Sequence, residues 1–203
     1  MVRNKLMGES TGHDWWHIER VRKIARKIAK EEKADLFVVD LAALLHDLAD
    51  WKFNDDLAKA NLSIRNWLGK EKVDKVTVDA IMHIIENMSF KGGFKKMSLS
   101  LEGQIVQDAD RLDALGAIGI ARAFAYGGQK GRPLYDPKAK RVKYKTEAEY
   151  KKLKGDTIGH FYDKLLVIMD MMNTKTAKKM AKVRHEFLKD YLRQFYKEWQ
   201  GEM

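Results

Sequence analysis

Proline occurs at only two places in this chain, Pro133 and Pro137. Everything before them is free of the strongest helix breaker. Apolar residues in that stretch return every three or four positions, as in Ile18, Val21, Ile24, Ala25 and Ile28, which is the period of a helix with one buried face. Residues 36–48 are more evenly apolar, with Leu41, Leu44, Leu45 and Leu48, the pattern of a helix covered on most sides. The same spacing predicts helices over 55–68, 73–88, 101–126, 157–172 and 174–199. The last carries Met180, Val183, Phe187, Leu188, Tyr191 and Phe195 as its core stripe. No stretch alternates apolar and polar residues well enough for a central sheet. The expected fold class is all-α, a single-domain helical bundle spanning 1–203.

Within that domain the residues divide into a helical core at about 13–126, a loop at about 127–156 and C-terminal helices at about 157–200. The loop holds Gly127, Gly128, Gly131, Gly155, both prolines and the basic run from Lys138 to Lys145. Its expected form is a long, exposed, mobile connection with a short hairpin. The chain has 203 residues and no cysteine, which excludes a disulfide framework, a thiolate zinc site and a thiol nucleophile. Lysine and arginine number 39 against 29 acids, for a net charge of +10 that favours anionic partners. No window approaches the roughly 18 apolar residues of a membrane span, and Met1 to Ser10 lacks the apolar segment of a signal peptide. The expectation is a cytoplasmic protein with no membrane partner.

Four residues are out of place in such a bundle. His46 and Asp47 lie near the end of the leucine-rich helix, where an ionised carboxylate is costly unless paired or bound to a cation. His17 falls on the polar side of the first helix, one turn after His13. Asp110 lies within Val106–Asp113, again among apolar residues. Taken singly, each also has a structural reading: a satisfied histidine at 17, a hydrogen-bonded pair at 46–47, a helix cap or a partner of Arg111 at 110. Asp14 reads as the N-cap of its helix. Together, two imidazoles and two carboxylates suit one divalent cation (Mn, Mg, Co, Ni, Fe or Zn), whose charge the two aspartates offset. His83, in Ala80–Ile85, reads as a core histidine and not as a ligand to a second metal.

The order His17, His46-Asp47, Asp110 resembles the H…HD…D signature of the HD-domain metal-dependent phosphohydrolase superfamily. Further segments resemble one bacterial subgroup, the YedJ/YpgQ type: His13–Val21, Ala42–Asp47, Met88–Gly92, Gln107–Arg122, Arg132–Pro137, Gly159–Leu166 and Met172–Thr174. The resemblance covers nearly the whole chain, and the Gln107–Arg122 segment is its most specific part. Of the nearby carboxylates Asp108, Asp110 and Asp113, the pattern Ala-Asp-Arg-Leu selects Asp110. Asp113 is left beside the site and Asp108 as a structural residue.

The resemblance implies that His17, His46, Asp47 and Asp110 bind the metal at the centre of the bundle. It also implies hydrolysis of a phosphoester or phosphoanhydride of a nucleotide, including triphosphate pyrophosphohydrolysis, by a metal-activated water attacking phosphorus. Asp47 and Asp50 would be the catalytic carboxylates, Asp50 lying one turn after His46 as general acid or base. Cations must then meet the phosphate oxygens. Candidates are Lys164 and His160, four apart on one helix, with Lys52 and Arg122 behind them. Lys91, Lys95, Arg111 and Arg132 are further basic residues of the same kind. The alternatives are a non-catalytic nucleic-acid-binding protein or a nucleotide-sensing one.

Overall fold

A computed structural model describes residues 2–7, 14–49, 56–88, 98–139 and 155–202. Among the described residues every regular element is helical and no strand occurs. A short helix, α1 (Val2–Leu6), precedes α2 (Trp15–Glu32) and α3 (Leu36–Leu45), which ends in a tight 3-10 turn, His46–Ala49. Then come α4 (Leu57–Lys70), α5 (Lys75–Asn87), α6 (Leu101–Asp113) and α7 (Gly116–Gln129). Thr157–His160 (α8) runs on through a π-helical turn, Phe161–Leu165, an α turn, Leu166–Ile168, and a 3-10 turn, Met169–Met171. The long α9 (Lys175–Trp199) closes the order. No described helix is long and apolar enough to cross a membrane.

Helix starts are set by short polar side chains. Asp14, Asp35, Asp56, Asp74, Asp156 and Thr174 each accept a hydrogen bond from a backbone N–H in the turn that follows. Each such cap is worth about 1 kcal/mol and fixes where its helix begins.

The chain divides into two compact units, the first taking in Met1–Glu9 and His13–Asp110, the second Arg111–Met203. In the first, α3 packs on α2 and on α5, and α4 packs on α5 and on the 3-10 turn. Ile18, Val21, Ala25 and Ile28 of α2, Val39, Ala42 and Leu45 of α3, and Ile81 and Met82 of α5 are fully buried. The apolar evenness of 36–48 thus reflects a helix with neighbours on both flanks. Only its first turn, Leu36 and Phe37, is exposed.

The spacing predicts one helix over 101–126, but the chain makes two. Leu115 is extended and Gly116 takes a φ of +70°, a left-handed conformation that costs glycine little and other residues more. The corner is tight: a Cβ on Gly119 would stand 2.2 Å from the Ala114 carbonyl oxygen. In the second unit, Arg184 of α9 donates to the carbonyl of Leu112 and so covers the end of α6. Burial pulls the Arg184 guanidinium below its ordinary value, opposed by the charge of Asp113.

The second unit packs α7 against α9 and α8. At Gly127 the approach of Thr157 is so close that a Cβ would stand 2.2 Å from its Oγ1. Phe161 stacks on Tyr191 at 5.8 Å, with Phe124 against both. Two expectations change here. The segment after Gly127 begins as helix and is then tied down: Tyr135 inserts among Phe195, Tyr196 and Trp199. Thr157 N–H donates to the Pro133 carbonyl at 2.9 Å, and Asp136 N–H donates to Asp156 at 3.1 Å. The expected hairpin and most of the basic run, at 140–154, lie outside the described residues. On α9 the buried stripe is Ala177, Ala181, Leu188 and Leu192, whereas Val183 (74% exposed) and Phe187 (50%) face outward. Small alanines two and three turns before Leu188 let the helix sit close, which turns the larger side chains away from the core.

The corner gives a matched test. Gly119→Ala is expected to lower unfolding stability in urea by about 2 kcal/mol or more through overlap with Ala114. Gly128→Ala, in the same helix with open space around it, is expected to raise stability by about 0.5–1 kcal/mol.

Candidate metal centre

Three elements of the first unit bring His17, His46, Asp47 and Asp110 together. His17 sits in the first turn of α2, and its backbone N–H donates to the Asp14 carboxylate at 2.8 Å. The cap that starts the helix therefore also anchors the histidine. His17 is fully buried, not on the polar side of the helix. It stands one turn before Val21 and two before Ala25, so it continues the buried stripe. A stripe of apolar residues hides a polar member of the same period.

His46 and Asp47 owe their placement to the end of α3, which tightens into the 3-10 turn at His46. The His46 Nδ1–H donates to the Ala43 carbonyl at 2.8 Å. That bond puts the proton on Nδ1 and leaves Nε2 with a lone pair. Nε2 is buried and makes no hydrogen bond among the described residues. Asp47 reaches both rings, with Oδ2 3.3 Å from His17 Nε2 and Oδ1 3.4 Å from His46 Nε2. From α6, Asp110 Oδ1 lies 3.4 Å from His17 Nε2 and 3.9 Å from His46 Nε2. The two imidazoles meet edge to face, centroids 5.3 Å apart.

These residues fit a divalent cation. Ligand atoms about 2.1 Å from a common centre stand roughly 3.0 Å apart in an octahedron and 3.4 Å in a tetrahedron. The separations of 3.3–3.9 Å are of that size, slightly open. The donor atoms of His17, His46 and Asp47 all lie within 4.8 Å of one another. A lone pair on a buried nitrogen with no donor facing it is otherwise expensive, and a cation resolves that cost. Exposure is uneven: the side chains of His17 and His46 are 0% and 3% exposed and Asp47 6%, but Asp110 is 38%. The cluster therefore meets solvent on its Asp110 side. Desolvation pushes the Asp110 carboxyl upward, but when the two rings carry protons the hydrogen bond from His17 and the charges of His46 and His17 outweigh it. They hold the group well below the usual carboxylate range, against the like charge of Asp47.

The other predicted residues fall elsewhere. Asp50, Lys52, His13, Lys91 and Lys95 lie outside the described residues. In the second unit, Arg122 donates to the buried Asp113 at 3.0 Å, and Arg111 donates to the carbonyl of Met171. His160 and Lys164, also in that unit, are half-buried at the junction of α8 and the π turn. Arg132 lies over the ring of Tyr126, 5.5 Å from its centre. Asp108 is fully buried. His83 is not a core residue: it is exposed on α5, Nε2 3.3 Å from the Ser98 carbonyl, because the period of Ile81, Met82, Ile84 and Ile85 leaves it on the outer side. Two positioning contacts had no distinct signal in the sequence. One is the Ala43 carbonyl, a main-chain group. The other is Gln107, whose amide donates to the Met88 carbonyl at 2.9 Å and ties α6 to the end of α5.

A helical unit holding two histidines and two aspartates in this order defines a metal-binding HD domain, and the HD domain family model matches residues 15–115. The chain belongs to the HD-domain family. YpgQ of Bacillus subtilis (strain 168), described as uncharacterized, is 44% identical over 202 residues, covering 98% of this chain and 91% of that one. Its crystal structure in complex with ADP superposes with a TM-score of 0.78, at 43% identity, covering 97% of this chain and 90% of that one. A structure from Lactobacillus plantarum gives 0.88 at 41% identity, covering 99% and 94%. An HD-superfamily hydrolase from Bacillus thuringiensis gives 0.78, also at 41% identity, with the same two coverages.

If the cluster binds a divalent cation, Mn²⁺ will raise the melting temperature of the wild-type chain, since a ligand that binds only the folded state stabilises it. Asp47→Asn is expected to abolish that rise while leaving the circular dichroism spectrum unchanged.

Proposed function

We propose that this chain is a metal-dependent phosphohydrolase that cleaves a phosphoester or phosphoanhydride of a nucleotide, with nucleoside triphosphates as the leading substrate class and pyrophosphate as the released product. The observation that carries the reading is the buried His46 Nε2 lone pair facing Asp47 beside His17 and Asp110. It is supported by the HD-superfamily hydrolase among the relatives and by the relative solved with ADP.

His17, His46, Asp47 and Asp110 would hold the cation. When bound, a divalent ion supplies a Lewis acid for a phosphoryl oxygen and makes a nearby water more acidic. The chain's own contribution is geometric and protonic. The Ala43 carbonyl holds the proton of the neutral His46 ring on Nδ1, which leaves Nε2 as the donor of electrons. Asp14 fixes the backbone of His17. Asp47, nearly sealed from water, keeps its two oxygens directed at the two rings. Asp110, the most exposed of the four, marks the side from which a nucleotide would enter. Asp50 is assigned the proton transfer, taking a proton from the attacking water or returning one to the leaving oxygen. His160, Lys164, Lys52 and Arg122 remain the candidates for the phosphate oxygens.

Phosphorus NMR of the products from a triphosphate panel with Mn²⁺, Mg²⁺, Co²⁺ or Ni²⁺ tests the reading. Pyrophosphate and a monophosphate are the expected products. Asp47→Ala is expected to lower kcat/KM by at least about 100-fold with the fold intact. Full activity in that variant excludes the assignment. Tight nucleotide binding without turnover would point to a sensor.

A further inference from the structure

The turn of α6 that carries Asp110 is poorly equipped to hold itself together. Asp110 is fourth from the end of the helix, so it stands among the residues whose carbonyls have no partner within the helix. Asp110 and Asp113 are both acids at the negative end of the helix dipole, where acids are unfavourable. The other ligands are fixed more closely. The Asp14 cap holds His17, the Ala43 carbonyl holds His46, and Asp47 follows His46 in the 3-10 turn. Gln107 fastens α6 one turn before Asp110. Beyond Asp110, Ala114 N–H donates to the Arg111 carbonyl and Leu115 N–H to the Leu112 carbonyl, both at 3.1 Å. These are the tighter i to i−3 bonds that finish a helix.

Arg184, 72 residues further along the chain, donates a second hydrogen bond to the same Leu112 carbonyl. Its stem runs past Gly116, where a Cβ would stand 3.2 Å from Arg184 Cγ and 3.3 Å from Arg184 Cβ. The glycine therefore leaves the path of the arginine open. The guanidinium brings a positive charge to the negative end of α6, beside the buried Asp113. Asp113 also pairs with Arg122 at 3.0 Å, while Arg111, in the turn itself, donates to the Met171 carbonyl. Arg184 and Leu112 both belong to the second unit, and Arg184 lies outside the residues that the HD domain model matches.

We propose that Arg184 is a positioning residue for the metal centre: by keeping the last turn of α6 wound, it holds Asp110 toward His17 and the cation. This rests on His17, His46, Asp47 and Asp110 binding a cation, and not on the reaction proposed for them. If the turn unwinds, the backbone at Asp110 changes direction and three ligands of the four remain. A turn wound about a tenth of the time weakens the apparent metal affinity about tenfold. Hydrogen-bond partners that support metal ligands matter on that scale, about 10- to 100-fold.

Titration calorimetry of the full chain with Mn²⁺ tests this. Arg184→Met keeps an unbranched stem and removes the charge and the donors. It is expected to weaken Mn²⁺ binding about tenfold with the circular dichroism spectrum unchanged. Arg184→Lys, which keeps a charge and a donor, should recover most of that loss. In an Asp110→Asn background, Arg184→Met should cost nothing further, since it acts through Asp110. A residue that only stabilised the fold would cost the same in both backgrounds. Hydrogen exchange gives a second readout: Mn²⁺ should slow residues 111–115 of Arg184→Met by about the same tenfold factor, since coupling is reciprocal. Wild-type affinity in a folded Arg184→Met overturns the proposal, as does an equal loss in the Asp110→Asn background or exchange at 111–115 that Mn²⁺ leaves unchanged. If Arg184→Met does not fold, Arg184→Gln, with donors but no charge, takes its place under the same criteria. A wild-type chain that binds no Mn²⁺ overturns the metal centre as well, whereas normal wild-type binding that is insensitive to Arg184 overturns the positioning role alone.

Discussion

Two imidazoles and two carboxylates share a space from which water is largely excluded, and the first unit is organised around that fact. Burying Asp47 against apolar helices is unfavourable unless its charge is met. The neighbours that meet it come from three separate stretches of chain: α2, the end of α3 and the last turns of α6. Each is held by a local device that does not depend on the others. Asp14 caps α2 at His17, a 3-10 turn finishes α3 at His46, and Gln107 fastens α6 to the end of α5. The arrangement of the four side chains is therefore a property of helix ends, where backbone groups are available and direction can change within one residue.

Much of this was legible in the sequence. The period of the apolar residues located the main helices to within two or three positions, and the improbability of His46-Asp47 inside a leucine-rich segment pointed to the site. What misled was periodicity taken alone. His17 looks polar but stands in register with Val21 and Ala25, so it is buried. Phe187 and Val183 look like core, but Ala177 and Ala181 hold the packed face of α9 and leave the larger groups outside. His83 sits among isoleucines and still points outward, since three consecutive positions on a helix cover most of its circumference. Hydrophobicity says that a segment is buried; register says which residues are, and register depends on neighbours that no single segment encodes.

The break between α6 and α7 escaped for a related reason. Gly116 and Gly119 read as ordinary members of an alanine- and glycine-rich helix. Only the corner shows why they are glycines, one for its positive φ and the other for the carbonyl of Ala114 against it. The short Asp and Thr caps carry the converse lesson. They are local, they need no distant neighbour, and Asp14 was readable as one before any fold was known.

The bond from His46 to the carbonyl of Ala43 has a consequence for how this centre can drift over evolutionary time. Every residue has a carbonyl, so exchanging Ala43 for another side chain alters packing and spares the acceptor. A gained or lost residue between 43 and 46 does the opposite, swinging the imidazole away while leaving composition almost untouched. Substitution should therefore be tolerated in this tripeptide link far better than a change in its length.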